Sequence, residues 1–311
     1  GVCRALATPP GGGIEAGGGL VLGDGSAAHF PALVRLGPRR ALVCYRCSSR
    51  SHPGVCHVLA ADGRALSSAG EVTVGAGPMN QPALAQLGTD KAVLCRPSVG
   101  QAHRGGCRVL VASSTPPTLG EGLDVGGAGN MHSPTVAPLS ADRAMLCYLD
   151  SGIARCTVLT ATGAGLASGG DVAFGAVSMF YITLASFSAD TAVLCYADIS
   201  CLVLRAPAAG GAAITRGEVL PLAHGGTSHP AVSRLNAHSL VVCHPNDWSM
   251  VNGICSTLLV SGMRLLEGAS TAVTGGSAFQ PASAQVGTNR TVLCYIRDQI
   301  HCRLVATSES V

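Results

Sequence analysis

The stretch Val193–Cys201, VLCYADISC, decides how the rest of the chain is read. An apolar run ending in Cys195 and Tyr196 meets a short Ala-Asp-Ile-Ser break. A second cysteine, Cys201, then opens another apolar run, LVL. That is the outline of two antiparallel strands with a cysteine on either side of their turn. The phrase recurs as LVCYRCSSRSHPGVC (42–56), VLCRPSVGQAHRGGC (93–107), MLCYLDSGIARC (145–156), VVCHPNDWSMVNGIC (241–255) and VLCYIRDQIHC (292–302). Aligned on it, Cys44, Cys95, Cys147, Cys195, Cys243 and Cys294 fall at intervals of 51, 52, 48, 48 and 51 residues.

Each repeat has four parts. A short run follows a polar or aromatic pair (HFPALVRL, NQPALAQL, HSPTVAPL, SHPAVSRL, FQPASAQV). The cysteine run comes next, after a Gly/Asp/Asn turn. A C-x-V-L run follows, and then a Gly-bounded run such as LSSAGEVTVG. Four short strands in a unit of about 50 residues match the blade of a β-propeller, and no window keeps a helical period. The expected fold is all-β: a six-bladed β-propeller of four-stranded antiparallel blades, with seven blades as runner-up, forming a single domain over residues 1–311. The first residues, GVCRALATPPGGGIEAGGGLVLG, read as a third and fourth strand, and the last, VLCYIRDQIHCRLVATSESV, as a second and third. An N-terminal strand near Gly19–Leu22 is therefore expected to complete the last blade. Gly1 in place of Met points to a removed leader or a longer parent chain.

The chain resembles β-propeller repeat proteins in general. Its VLCY…C-x-V-L phrase is also similar to tandem repeats in large proteins of unicellular marine algae, a resemblance that spans nearly the whole chain and implies no activity. The Trp-Asp signature of WD40 repeats, the kelch pattern, the sialidase-type Asp box and the integrin-type calcium loop are all missing from it.

Composition narrows the partners. Charged residues make up 12% of the chain, about half the usual share, and aromatics 4%, while there are 41 glycines. A net charge of +3 with scattered basic residues is no footprint for nucleic acid. No apolar run reaches the length of roughly 18 residues that a spanning helix needs, so no membrane span is expected.

Residues that face each other on antiparallel neighbours are close enough for a disulfide. Six bridges within blades follow: Cys44–Cys56, Cys95–Cys107, Cys147–Cys156, Cys195–Cys201, Cys243–Cys255 and Cys294–Cys302. Their spacing varies from 6 to 12, which suits hairpin loops of different length and not a fixed metal geometry. Cys47 is left to pair with Cys3. Fourteen cysteines so placed imply an oxidising compartment, secreted or cell-surface. The sequon Asn289-Arg290-Thr291, at a turn, is a glycosylation candidate that agrees with this. Cys44, Cys47, His52, Cys56 and His57 also have the makings of half a zinc site, but the other repeats keep the cysteine pair without such neighbours. No metal and no cofactor is expected.

Chemistry should break the repeat symmetry, and most acidic residues obey it. Asp90, Asp142 and Asp190 share a turn position with Asn289; Glu71, Asp124, Asp171 and Glu218 share another in the fourth strand. There is no paired-carboxylate couple, nucleophile elbow, HExxH or phosphate loop, so the chain is expected not to be an enzyme. His29, His132 and His229 precede first strands, where a propeller opens its axial channel. Trp248, Phe180 and Tyr181 do break the symmetry and are candidate contact anchors. The function expected is a non-catalytic extracellular or cell-surface subunit, structural or for protein–protein interaction, whose partners are other chains of an assembly. The alternative is a lectin-like module that binds carbohydrate or glycoprotein.

Overall fold

The computed structural model describes the chain except residues 1, 8–14, 23–27, 49–52, 98–104, 126–130, 177–180, 197–198, 208–212, 224–228, 246–252, 273–278, 297–299 and 307–311. It divides into two compact units, Gly1–Ala173 and Phe174–Val311.

In the first unit, β1 (Val2–Ala7) and β2 (Glu15–Val21) form a hairpin. The first blade is β3 (Ala28–Gly37), β4 (Arg40–Cys47), β5 (Pro53–Asp62) and β6 (Ala65–Pro78). The second is β7 (Ala83–Gln86), β8 (Lys91–Pro97) and β9 (Gly105–Val111), with its outer strand split into β10 (Thr118–Leu119) and β11 (Leu123–Val125). The third is β12 (Met131–Pro138), β13 (Arg143–Asp150), β14 (Ile153–Thr162) and β15 (Gly165–Ala176).

The second unit continues the series. Its first blade is β16 (Ile182–Ser186), β17 (Thr191–Tyr196) and β18 (Ser200–Arg205), with an outer strand split into β19 (Thr215–Arg216) and β20 (Leu220–Pro221). β21 (Ala231–Arg234), β22 (Ser239–Pro245), β23 (Gly253–Ser261) and β24 (Arg264–Ala272) follow, and then β25 (Phe279–Gly287), β26 (Arg290–Ile296) and β27 (Ile300–Ala306). Every neighbouring pair is antiparallel, and no helix occurs among the described residues. The fold is all-β, a six-bladed β-propeller with one small antiparallel sheet per repeat. One expectation about strand pairing is not met. β2 pairs with β1, Cys3 facing Leu20, and the last sheet has three strands among the described residues. The pairing of β1 with β2 is itself what reading the N-terminus as a third and fourth strand implies.

Val, Leu and Ala build the core because it lies as a thin layer between successive sheets. One cluster joins Leu36, Leu42 and Val58 of the first blade to Ala92, Leu94 and Leu110 of the second; another joins Val93 and Ala85 to Leu146 and Leu159 of the third. In the second unit, Val193 and Val203 pack with Val242 and Leu258 in the same way. Second strands are buried on both faces, as β17 and β22 show along their whole length, while the outermost strand β24 is mostly exposed. All six expected disulfides form, each between residues that face each other across the second and third strands, with Cα atoms 4.1–4.2 Å apart.

Polar struts repeat with the sheets. Gln86 Nε2 donates to the Leu36 carbonyl of the blade before it, and Gln285 Nε2 to that of Leu235. Arg40 pairs with Asp90, and Asn236 Nδ2 donates to Asn289 Oδ1, at the corresponding turns. The turn acids are thus structural: Asp142 and Asp190 accept from Ser140 and Ser188 at 2.6 Å.

Alternate blades differ in a way the cysteine alignment hides. The hairpins β5–β6, β14–β15 and β23–β24 turn on Gly63, Gly163 and Gly262, all in the left-handed region, with φ of 57°, 63° and 60°. The next residue's carbonyl oxygen, on Arg64, Ala164 or Met263, then presses on a glycine of the preceding outer strand: Gly17, Gly120 or Gly217. A Cβ on those glycines would lie 2.1, 1.9 and 1.9 Å from that oxygen. Only glycine fits. The repeating unit is therefore two blades, one whose outer strand carries the glycine (in the break of a split strand at Gly120 and Gly217, within β2 at Gly17) and one with a continuous hairpin carrying the knob.

Candidate functional site

At or just before the start of four first strands stands a residue followed by proline: Phe30 and Ser133 inside β3 and β12, Gln81 and His229 just ahead of β7 and β21. Each has positive φ, 51°, 42°, 45° and 67°. A side-chain-bearing residue in that region is strained by about 1–2 kcal/mol, and a following proline already limits its backbone. Strain that recurs at one position marks a place where the fold holds side chains in set directions. In β3 and β12 the pairing slips here, between His29 and Ala32 and between His132 and Thr135. Such bulges re-aim the residues around them. They also correct the sequence reading: His29 and His132 lie inside the first strands and not before them, because the strand resumes pairing on the far side of the bulge. Both are exposed.

In the first unit this rim brings together Phe30, Arg46 and Asn80. The Arg46 guanidinium lies 5.2 Å from the centroid of the half-exposed Phe30 ring, and its Nη1 donates to Asn80 Oδ1 at 2.8 Å. Its Nε is buried with no hydrogen-bond partner among the described residues.

In the second unit the rim brings together Tyr181 and His229. Their ring centroids are 3.4 Å apart, tilted by 32°. His229 is partly buried, and neither of its ring nitrogens has a hydrogen-bond partner among the described residues. Burial lowers its pKa below the ordinary histidine value and favours the neutral ring. Both nitrogens are themselves buried, so the donor and acceptor of a neutral imidazole lie unpaired beneath the surface. Of the three aromatic candidates, Tyr181 is thus in a formed cluster, while Phe180 and Trp248 lie outside the described residues. The pairing of Tyr181 with His229 could not be read from the sequence, since 48 residues separate them.

The remaining candidates resolve as structural or packed groups. Cys44 and Cys56 share a disulfide and so offer no thiolates, which removes the half-zinc reading; His52 lies outside the described residues. His57, buried, has its Nε2 3.1 Å from the Tyr45 hydroxyl and 3.5 Å from Glu71 Oε2. Cys47 and Cys3 stand outside the six bridges and belong to one apolar cluster with Tyr45 and Leu20. Burial raises the Cys3 thiol pKa. Asn289 sits at the β25–β26 turn with φ of 59°, its Oδ1 held by Asn236, and Thr291 of the sequon is fully buried on Ser233.

No known family profile matches the chain, and no curated protein does. Solved structures do. The NanB sialidase of Streptococcus pneumoniae superposes with a TM-score of 0.60 at 7% identity, covering 92% of this chain and 69% of that one. The leech intramolecular trans-sialidase, solved with 2,7-anhydro-Neu5Ac, gives 0.60 at 8% identity, over 90% of this chain and 68% of that one. A Hadza microbial sialidase gives 0.57 at 9%, and this chain spans 66% of its length. At such identities the likeness shows the fold alone.

It nonetheless corrects one expectation. The chain was expected not to be an enzyme, and sialidases and a trans-sialidase are among the structures it is similar to, so the fold is one that carries enzymes. The expectation rested on missing linear motifs. A site assembled from residues of different repeats, as Tyr181 and His229 are, leaves no linear motif to find.

Proposed function

We propose that this chain is a secreted or cell-surface protein that recognises glycans at the rim formed where its first strands begin. The observation that carries the reading is the Tyr181–His229 pair: two aromatic rings in contact, with buried imidazole nitrogens that have no hydrogen-bond partner among the described residues and that a small movement would open to a ligand. Sugars stack their apolar faces on such rings and exchange hydrogen bonds with groups at the edge, the pairing of apolar wall and few polar groups that small-ligand sites use. The exposed Phe30 with Arg46 supplies a similar surface in the first unit. The sialidase-like fold supports a glycan as ligand, and six disulfides support an oxidising, extracellular setting.

The test is a glycan array probed with the secreted chain, run beside a fluorogenic sialoside. Binding that falls at least about tenfold in Tyr181→Ala and His229→Ala supports the reading. No glycan retained and no sialoside turned over by the wild-type chain sinks it. A second reading, a subunit of an extracellular assembly, is favoured by Val2 and Val21, which face each other across β1–β2 and are 63% and 59% exposed. Light scattering decides it: a monomer at high concentration argues against assembly.

A further inference from the structure

We propose that a cleft between β6 and the second blade binds a small oxyanion through Arg96 and Arg108. The cleft holds about 100 Å³, room for several waters, and is lined by Val74, Leu94, Arg96, Gly106, Arg108 and Asp124 among others. Register places these groups together. Arg96 faces Gly106, which faces Asp124, and Leu94 faces Arg108 beside them. Because Gly106 has no side chain, the middle of that row is empty, and the two guanidiniums border the gap.

This is where the second blade departs from its siblings. The position of Arg96, after the second-strand cysteine, is Tyr45, Tyr148, Tyr196, His244 and Tyr295 elsewhere. The position of Gly106 is Val55, Arg155, Ser200, Ile254 and His301. In the first blade the corresponding side chains satisfy one another, Tyr45 with His57 and His57 with Glu71. In the third, Arg155 Nε pairs with Asp150 at 2.8 Å. The second blade instead puts two cations beside one carboxylate, and neither guanidinium makes an ion pair or hydrogen bond to a described residue.

Arg96 is held in place from behind. A Cβ on Gly75 would come 2.7 Å from its Nη2, so that glycine, with φ of 71°, leaves just the space the guanidinium needs. Arg108 Nε and Nη2 lie against Gly122 in the same manner. The positive charge of Arg108, after burial, lowers the pKa of Arg96, which marks a repulsion that a bound anion would relieve. A planar guanidinium offers paired N–H donors suited to sulfate, phosphate or carboxylate oxygens, and two of them flanking one gap can share an oxyanion. The cleft reaches solvent on the side of Arg108 and Asp124, both exposed.

The test is thermal denaturation in sodium sulfate against sodium chloride at matched ionic strength, with sodium phosphate and a sulfated monosaccharide as further arms. Wild-type chain is expected to gain Tm saturably with sulfate. Arg96→Tyr, which restores the side chain four other blades carry, is expected to weaken sulfate binding by about tenfold or more. Gly106→Leu fills the gap while keeping both arginines and is expected to abolish the response; the site for its Cβ is open, the nearest atom being 3.9 Å away. Equal sulfate and chloride curves for wild type overturn the proposal, as does a response that survives both substitutions. A sulfated sugar that binds more tightly than the free ion identifies the anion as part of a glycan; equal affinity identifies a free ion.

Discussion

Gly120→Ala tests the two-blade unit at its tightest point. The added methyl would sit 1.9 Å from the carbonyl oxygen of Ala164 and 2.9 Å from its carbon, both backbone atoms at a hairpin turn. Ordinary contact begins near 3.4 Å, so the outer strand and the hairpin must separate by about 1.5 Å. Neither can swing away as a flexible side chain would, since Gly120 N is bonded to the Val109 carbonyl and the turn is fixed by Gly163. Overpacking by a methyl group in such a place costs about 2 kcal/mol, and more if the turn cannot yield. Spread over a chain of 311 residues, that lowers Tm by about 3 °C. Gly169→Ala is the matched control: it lies in the same unit, has no atom within 4 Å of its added Cβ, and should leave Tm unchanged or slightly raised. Differential scanning calorimetry of the three proteins decides the matter. Equal melting of Gly120→Ala and wild type would refute the close approach and, with it, the pairing of blades.

Two further outcomes are expected. Replacing Cys195 and Cys201 with alanine opens a loop of six residues and should cost about 2 kcal/mol, while the twelve-residue loop of Cys243 and Cys255 should cost about 3 kcal/mol; melting curves that do not move, or that move equally in every pair, would show that loop closure is not the source of the stability. His229 gives a pH signature. Its folded pKa lies below its unfolded one, so the unfolded chain binds the extra proton first, and stability is lost as pH falls from the ordinary histidine value through the lowered one; His229→Phe should flatten that part of the Tm–pH profile, and an unchanged slope would place the titration elsewhere.

The repeat and its sulfur chemistry were legible because they are written locally. A cysteine on either side of a turn, such as Cys195 and Cys201, specifies two strands, their register and their cross-link at once. The alternation of blades was equally present, in turn sequences such as ADGRAL, ATGAGL and VSGMRL, but an alignment on cysteines gives every repeat the same weight and conceals it. The rim was half legible. His229 and Tyr181 stood out one at a time, yet their stacking depends on how neighbouring sheets meet, and the left-handed backbone at Phe30, Gln81 and Ser133 has no glycine or asparagine to announce it. Arg96 was visible as VLCR among VLCY repeats. Its meaning emerged only when Gly106 and Arg108 were found across the strand from it and its neighbour.

Peptide mapping of the native chain under non-reducing conditions, after blocking any thiols, tests the account at its base. It should recover six linked pairs, Cys44 with Cys56, Cys95 with Cys107, Cys147 with Cys156, Cys195 with Cys201, Cys243 with Cys255 and Cys294 with Cys302. Blocked thiols at these positions, or links that join one repeat to another, would contradict both the blade boundaries and the oxidising compartment.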